Sequence, residues 1–322
     1  MSELCLVTGG AGFIGSNLVR ELLSRGFGVR VLDNLSTGRR ENLSDVDGDV
    51  EVIEGDVRHL ATVGRATEGV ARVFHEAAIP SVARSVAAPL ASHEANATGT
   101  LNVLIAARDA GAERVVYASS SSVYGDADRL PVTEDVPPRP ISPYAVSKLA
   151  GEHYLAAFHA SYGLPTVALR YFNVFGPRQD PASEYAAVVP RFATAALRGE
   201  PVTIYGDGEQ SRDFTFVADV VEANILASEA PEAAWGRAFN VAYNQRHSVN
   251  ELLAEIRSLI PDVEQPEPVH APPRPGEIRD SQADVTAATE ILGYHPAHTF
   301  SDGLRATMEW FASSEPPAGG GR

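Results

Sequence analysis

Short apolar and β-branched runs recur along the first half of the chain, and segments of helical periodicity separate them. The runs are LCLVTGG, VRVLDN, VEVIEGD, ARVFHEAA, RVVYASS and PTVALRYFNVFG. Near-continuous apolar strands that alternate with amphipathic helices are typical of a parallel sheet covered on both faces, and right-handed crossovers make such a sheet doubly wound. The pattern therefore predicts an α/β protein with a Rossmann-type doubly wound parallel sheet.

Two helices are predicted with defined ends. Residues 149–162, LAGEHYLAAFHASY, carry apolar side chains at helical spacing and stop before Gly163, a helix-ending residue. Further along, Ser248 and Glu251 have the spacing of a capping box at the start of SVNELLAEIRSLI.

Beyond about residue 180 the pattern loosens into shorter strands, VTIYG and AFNVAY, and a proline-rich stretch, VEQPEPVHAPPRPG. A chain of 322 residues has room for two units. We expect a first domain over residues 1–180, with a strand and helix contributed from about 214–246, and a smaller mixed α/β lobe over 181–312. The final SSEPPAGGGR, residues 313–322, is expected to be a disordered tail.

Composition narrows the classes of partner. The hydrophobic fraction of 44% and the charged fraction of 21% are ordinary for a soluble globular protein, and a formal charge of −16 disfavours nucleic acid and anionic membranes as partners. The start MSELCLVTGG lacks a targeting pattern, and the single cysteine, Cys5, is expected to be buried, so a reducing cytoplasm is predicted. The nine histidines are scattered, and no metal site is expected.

A glycine loop directly follows the first predicted strand. In VTGGAGFIGSN, Gly9, Gly12 and Gly15 allow a tight turn, a close backbone approach to a pyrophosphate, and close packing of a helix on the strand. Asp33 ends the second strand 18 residues after Gly15, near the position of an acid that binds the ribose of a dinucleotide. Such a carboxylate repels a 2′-phosphate, and no arginine follows before Arg39, so NAD is favoured over NADP.

The second candidate for chemistry combines a serine run with a tyrosine and a lysine. Tyr144 and Lys148 are four residues apart at the start of a predicted helix, so their side chains share one face. A nearby ammonium favours the phenolate of a tyrosine, whose ordinary pKa is about 10, and makes it a useful base. The run ASSSSVYG follows the strand RVVYA, which places its hydroxyls at the carboxyl end of the sheet, where open α/β folds bind ligands.

Together, the glycine loop, Asp33, the serine run and the Tyr-x-x-x-Lys pair resemble the extended short-chain dehydrogenase/reductases, specifically the nucleotide-sugar 4-epimerases of the UDP-GlcNAc/UDP-glucose type. The resemblance extends from VTGGAGFIG to PRPGE and the helices after it. It implies that Ser120 is the catalytic serine, Tyr144 the base and Lys148 its partner. It also implies that the second lobe binds a nucleotide sugar, and that two copies pair through helices near residues 92–110 and 145–161 as a homodimer.

The resemblance assigns two groups of binding residues. The group expected to hold NAD is Gly9, Gly12, Phe13, Ile14, Gly15, Asp33, Asn34, Ser36, Thr37, Gly38, Asp56, Val57, Ala77, Ala78, Asn96, Ser119, Tyr144, Lys148 and Tyr171. The group expected to bind the UDP-sugar is Ser120, Ser121, Tyr144, Asn173, Ala187, Val188, Val189, Thr203, Tyr205, Gln210, Arg212, Arg274, Glu277 and Ser281. Arg212 and Arg274 are the candidates for the diphosphate, because planar guanidinium groups bind phosphate oxygens with paired donors.

The implied reaction is inversion at sugar C4 through a 4-keto intermediate, with tightly bound NAD regenerated in each cycle. Small residues at Ala187 and Ser281 leave room for an acetamido group, so UDP-GlcNAc/UDP-GalNAc is expected first, with UDP-Glc/UDP-Gal also used. A uronic acid is expected to be disfavoured by Asp180 near the sugar.

Other functions stay open from the sequence: a UDP-glucuronate 4-epimerase, a decarboxylase or dehydratase of the same fold, and a non-catalytic NAD-binding protein. Related lyases carry acids where this chain has Ser121 and Ser122, and non-catalytic relatives can lose the triad that is intact here.

Overall fold

The computed structural model describes residues 2–46, 48, 50–181, 187–273 and 278–314. In these residues the strands are β1 (Leu4–Thr8), β2 (Gly28–Asp33), β3 (Val50–Glu54), β4 (Arg72–His75), β5 (Arg114–Ser120), β6 (Thr166–Tyr171), β7 (Val174–Phe175), β8 (Thr203–Tyr205), β9 (Ser211–Asp213), β10 (Thr215–Phe216), β11 (Arg237–Val241), β12 (Arg246–Ser248) and β13 (Val269–Ala271). The α-helices are α1 (Phe13–Ser24), α2 (Leu60–Thr67), α3 (Val82–Ala87), α4 (Pro89–His93), α5 (Gly99–Ala110), α6 (Pro143–Tyr162), α7 (Val188–Leu197), α8 (Val217–Glu229), α9 (Val249–Ser258), α10 (Thr286–Leu292) and α11 (Phe300–Ser314).

Seven strands form one parallel sheet in the order β11-β6-β5-β4-β1-β2-β3. The order reverses between β1 and β4, so the carboxyl ends of these two strands border a crevice of the kind in which open α/β sheets bind ligands. The predicted doubly wound parallel sheet is therefore confirmed.

Helices cover both faces of this sheet, and the strand side chains divide between two apolar clusters. Cys5 and Val7 belong to the cluster that contains residues of α1 and α8, whereas Leu6 between them belongs to the cluster that contains residues of α2 and α5. Because successive strand residues point to opposite faces, this alternation requires apolar cover on each side.

A third apolar cluster forms the core of the smaller lobe, where α7, α9 and α11 pack together. The short pairs β8–β13 and β9–β12 border it, and the predicted capping box of Ser248 and Glu251 begins α9. Between these elements the chain returns to the large sheet, because α8 packs against α1 and β11 pairs with β6.

Helix α6 begins earlier than the periodicity predicts and ends where expected. Ser142 caps it by accepting a hydrogen bond from the Ala145 amide (3.1 Å), Pro143 takes the first turn, and Gly163 ends it in the left-handed conformation. The last helix, α11, includes residues 313 and 314, which were expected in the tail, and the rest of that segment lies outside the described residues. None of the described helices is both long and apolar enough to cross a membrane.

Candidate active site

A cavity of about 910 Å³ lies at the carboxyl ends of the central strands and extends toward the smaller lobe. The predicted site residues that line it are Gly12, Phe13, Ile14, Ser36, Thr37, Gly38, Ser119, Ser120, Ser121, Tyr144, Tyr171, Asn173, Ala187, Arg212 and Ser281. The structure thus brings residues of both expected groups to one cavity.

Two glycines of the loop, Gly9 and Gly15, lie so close to neighbouring backbone atoms that a side chain would not fit there. Gly9 has a φ of +70°, and a Cβ there would lie 2.7 Å from the Ala77 nitrogen. A Cβ on Gly15 would lie 2.2 Å from the Gly9 carbonyl oxygen. Helix α1 starts at Gly12 without a side-chain cap, so its first amide groups are available to an anion at the helix N-terminus.

Asp33 is held by backbone at the end of β2. Its carboxylate accepts hydrogen bonds from the amides of Ala11 (2.9 Å) and Leu35 (2.8 Å), and a Cβ on Gly38 would lie 2.8 Å from one of its oxygens. Burial raises the pKa of Asp33, and the two amide bonds lower it. An uncapped helix terminus beside a buried carboxylate fits the diphosphate and ribose of NAD.

The loop after β3 contains a second acid, Asp56, which is hydrogen-bonded by neighbouring side chains. Asp56 accepts hydrogen bonds from Asn34 (2.8 Å) and from the Arg58 side chain, and these bonds lower the pKa of Asp56. Val57 is buried, and a Cβ on Gly99 would meet it at 2.7 Å. Neither Asp56 nor Val57 lines the cavity, so their contact with adenine stays a prediction.

Asn96 acts on the loop that follows β4. Its side-chain oxygen accepts a hydrogen bond from the Ile79 amide (2.8 Å), and its nitrogen donates to the Ser147 hydroxyl of α6 (3.1 Å). The neighbouring Ala77 amide donates to the Thr8 hydroxyl (3.2 Å). Asn96 therefore positions the loop that contains Ala77 and Ala78, and none of the three residues lines the cavity.

Ser120 and Tyr144 meet at the edge of β5. Ser120 ends the strand, where its hydroxyl accepts a hydrogen bond from the Ser122 amide (3.2 Å), and both Ser120 and Tyr144, which lies in the first turn of α6, line the cavity. Burial raises the pKa of Tyr144, and the nearby Ser120 hydroxyl lowers it less. Two hydroxyl groups on one cavity wall can move a proton on and off a bound ligand.

Lys148 lies beside this pair with different partners from those expected. Its ammonium donates to the Ala118 carbonyl (2.7 Å) and lies 4.9 Å from the centre of the Tyr117 ring. Burial lowers the pKa of Lys148 to about 8, although Glu76 and Glu152 raise it. The ammonium is hydrogen-bonded to a strand carbonyl and burial raises the pKa of Tyr144, so the acidification of Tyr144 by Lys148 stays a prediction.

The smaller lobe contributes one wall of the cavity. Arg212 donates to the carbonyls of Ser211 and Arg279 (both 2.9 Å), and the Ser281 amide donates to the Ser211 carbonyl (3.1 Å), so Ser281 is fixed beside Arg212. Gln210 donates to the Tyr205 carbonyl (2.8 Å). The cavity lining does not include Val188, Val189, Thr203, Tyr205 or Gln210. Arg274 and Glu277 lie outside the described residues.

Asn173 connects β6 to β7 in a strained conformation. Its φ is +30°, outside the region that side chains other than glycine usually adopt, and its carbonyl accepts the Thr215 amide (3.2 Å). Strain of this kind persists where surrounding structure enforces it and is concentrated at functional sites. The position lines the cavity, and its contact with the substrate stays a prediction.

Asp180 lines the cavity, and its charge is paired. Its carboxylate forms an ion pair with Arg39 (2.8 Å), which follows the Asp33–Gly38 segment on the cofactor side of the cavity. A neighbouring guanidinium offsets the charge, so Asp180 gives no reason to exclude a uronic acid.

Sequence reasoning missed two acids near Lys148. Glu76 accepts a hydrogen bond from the Tyr171 hydroxyl (2.9 Å), and burial raises the pKa of Glu76 to about 7. Glu152 is one helical turn beyond Lys148 and accepts a hydrogen bond from Ser119 (2.5 Å). Two features of the sequence could have indicated these acids: Glu76 directly follows an apolar strand, and Glu152 lies four residues after Lys148 on the predicted helix.

Comparison with known proteins agrees with this geometry. Residues 5–242 match the family model described as "NAD dependent epimerase/dehydratase family". The chain belongs to this family. Because its members are NAD-dependent and the glycine loop and Asp33 fit the dinucleotide, the cofactor of this family member is NAD.

Three relatives are similar to this family member over almost their whole length. A UDP-glucose 4-epimerase of Mycolicibacterium smegmatis is 42% identical, with 95% of this chain and 97% of the relative aligned. The structure of a UDP-N-acetylglucosamine 4-epimerase from Methanobrevibacter ruminantium, in complex with UDP-N-acetylmuramic acid, is 40% identical with a TM-score of 0.92, covering 98% of this chain and 100% of the other. The structure of the Thermus thermophilus UDP-glucose 4-epimerase in complex with NAD is 41% identical with a TM-score of 0.87, covering 97% and 100%.

In the described ranges, no group of three or more histidine, cysteine, aspartate or glutamate side chains is arranged to hold a metal ion.

We expect Gly15→Ala to weaken NAD binding by about 10-fold or more, equivalent to about 1.4 kcal/mol, because the added methyl group must displace the glycine loop. The measurement is the NAD content of the purified protein and its affinity for added NAD. Gly64→Ala is the matched control, since Gly64 is also helical and a Cβ there meets nothing within 4 Å. Equal NAD binding by both variants would contradict the assignment of the loop.

Proposed function

We propose that the protein is a UDP-sugar 4-epimerase that interconverts UDP-GlcNAc and UDP-GalNAc, and also UDP-Glc and UDP-Gal. The observation that carries this proposal is that the hydroxyl-bearing residues Ser120 and Tyr144 line one cavity, together with Ser121 and Ser122. These are groups that move one proton on and off a sugar hydroxyl, next to a site that fits NAD.

In this proposal the residues of the chain handle the proton of the C4 hydroxyl. Tyr144 accepts it, directly or through the Ser120 hydroxyl, and later returns it. Lys148, as an ammonium, favours the phenolate once Tyr144 has lost its proton. The chemistry that NAD supplies when bound is reversible hydride uptake, which makes the sugar intermediate a 4-ketone.

Elimination and decarboxylation require further acids or bases beside the sugar. Among the described residues that line the cavity, the carboxylates are Asp180 and Asp280, which bind Arg39 (2.8 Å) and the Ser211 hydroxyl (2.5 Å) respectively. The serines beside Ser120 supply hydroxyls only. This arrangement supports epimerisation over a lyase reaction, and it predicts a product of unchanged mass.

Two small side chains support N-acetylated sugars as substrates. Ala187 and Ser281 both line the cavity, and Ser281 is fixed next to Arg212 by its backbone. Larger residues at these positions would occupy the volume that an acetamido group needs. UDP-GlcNAc and UDP-GalNAc are therefore the proposed substrates, and the smaller UDP-Glc and UDP-Gal fit the same space.

A UDP-hexuronic acid is a second candidate substrate. Asp180 no longer opposes it, because its charge is paired with Arg39. Arg84 also lines the cavity, and guanidinium groups bind carboxylates with paired donors.

A homodimer is the proposed assembly, and the cytoplasm stays the predicted compartment. The surface around α3, α4 and α6 exposes Val86, Leu90, Ile141 and Val146, an apolar group that a second copy would cover. We expect light scattering to report twice the mass of one chain, and a monomer at micromolar concentration would contradict the pairing.

We expect Tyr144→Phe to keep its NAD and to lower kcat by roughly 10²–10⁴-fold, the usual contribution of a general acid–base group. NMR of UDP-GalNAc, UDP-Gal and UDP-glucuronate incubations measures turnover and identifies each product. Tyr154→Phe is the control, since Tyr154 is on the exposed side of the same helix. Normal turnover of Tyr144→Phe would refute the base assignment, and a product of altered mass would refute epimerisation.

We expect Ser281→Tyr to lower kcat/KM for UDP-GalNAc about 10-fold or more relative to UDP-Gal, because a ring fills the space proposed for the acetamido group. Ser281→Ala is the size-matched control and should preserve the ratio between the two substrates. The same loss on both substrates would remove the argument from cavity size.

A further inference from the structure

Three residues at the ends of neighbouring strands form a row across the sheet. In the strand register, Ser119 of β5 is paired with Arg170 of β6, and Arg170 with Asn240 of β11. Partners in register place their side chains on the same face of the sheet. All three side chains are buried, which is unusual for a guanidinium and requires a partner.

Glu152 of α6 is that partner, and it binds two members of the row. The Ser119 hydroxyl donates to one of its carboxylate oxygens (2.5 Å), and Arg170 donates to both oxygens (2.9 and 2.7 Å). Arg170 also donates to the Tyr124 hydroxyl (2.8 Å), which donates to Asn240 (2.7 Å). The geometry is a bidentate ion pair with further hydrogen bonds, the form in which a buried pair is best compensated.

Glu152 also shares a helix face with the groups proposed to act on the substrate. Tyr144, Lys148 and Glu152 follow one another at four-residue intervals on α6. Lys148 binds the Ala118 carbonyl and Glu152 the Ser119 hydroxyl, so two consecutive residues of β5 are fixed to α6 immediately before Ser120. These two attachments hold the strand end that carries Ser120 against the helix that carries Tyr144.

Groups on several elements face the ammonium of Lys148. They are His75 and Glu76 at the end of β4, Tyr117 on β5, and Tyr144 and Glu152 on α6. His75 is neutral, because burial lowers its pKa to about 3. Glu76 and Glu152 are thus the groups whose negative charge can compensate the buried ammonium.

We propose that Glu152 is a positioning residue with two effects: it fixes the strand end that carries Ser120 to the helix that carries Tyr144, and its charge keeps Lys148 an ammonium. The first effect rests on the proposed function, whereas the second is a property of the protein with or without turnover. The two effects are separable, since Glu152→Gln removes the charge and keeps a hydrogen-bond acceptor, and Ser119→Ala removes the hydrogen bond and keeps the charge.

The charge effect can be measured without catalysis, because Lys148 is the single lysine of the 322-residue chain. Protein labelled with ¹⁵N-lysine has one Nζ signal, whose titration by NMR reports this ammonium alone. We expect Glu152→Gln to move the midpoint about one pH unit lower, because an opposite charge is lost from its surroundings. Glu152→Asp, which keeps the charge, should titrate close to the unchanged protein.

The matched control is Glu134→Gln. Glu134 is a second largely buried carboxyl, but its partner is the Asn240 amide (2.7 Å), and it is not among the groups that face Lys148. We expect this variant to leave the midpoint unchanged. Glu152→Gln leaves the charge of Arg170 without a charged partner. If this loss prevents folding, the double variant Glu152→Gln/Arg170→Gln removes both charges of the ion pair. We expect the lower midpoint of the Lys148 titration in that double variant as well.

The positioning effect is measured by kinetics. With NAD and UDP-sugar at saturating concentrations, we expect Ser119→Ala to lower kcat about 10-fold while the Lys148 titration stays unchanged, since misplaced reacting groups slow the chemical step. Equal midpoints in the unchanged protein and Glu152→Gln would overturn the charge effect, and an unchanged kcat in Ser119→Ala would overturn the positioning effect. A chain that turns over no UDP-sugar at all would refute the proposed function, and the Lys148 titration would still decide the charge effect.

Discussion

An ammonium group buried between α6 and β5 constrains the structure around the site. Removing Lys148 from water has an unfavourable free energy that neighbouring groups must offset. The Ala118 carbonyl accepts a hydrogen bond from the ammonium (2.7 Å), and the carboxyl groups of Glu76 and Glu152 favour its charge. These partners come from three different elements, so the ammonium is stable only where strand, helix and loop are correctly docked. The same docking places Ser120 and Tyr144 on the wall of one cavity.

The parallel sheet explains why residues distant in sequence meet in one cavity. The glycine loop follows β1, Asp33 ends β2, and Ser120 ends β5. Because the strands are parallel, all three positions lie at the same edge of the sheet. These positions could be predicted from the sequence, since each depends on a local pattern: a strand followed by glycines, an acid at a fixed spacing, or serines after an apolar run.

Contacts that depend on register or on loop docking could not be predicted. The ion pair of Asp180 with Arg39 joins residues 141 apart, and nothing in the local sequence of either indicates the other. For Lys148, helical spacing correctly places the side chain on the face of Tyr144, but the choice of the Ala118 carbonyl as acceptor depends on how β5 lies against α6. Arg170 in β6 breaks an apolar run, a visible signal whose partner, Glu152, lies 18 residues away on another element.

The row of polar residues also extends into the smaller lobe. The Asn240 side chain donates to the carbonyls of Val132 and Asp284 (both 3.0 Å), and the Val132 amide donates to the Gln282 carbonyl (2.8 Å). The segment held in this way follows directly on Ser281, the residue proposed to limit the size of the sugar. In a low-dielectric interior each of these hydrogen bonds is costly to leave unmade. The strand end that carries Ser120 and the wall proposed to select the sugar are therefore held in register by one chain of buried polar contacts.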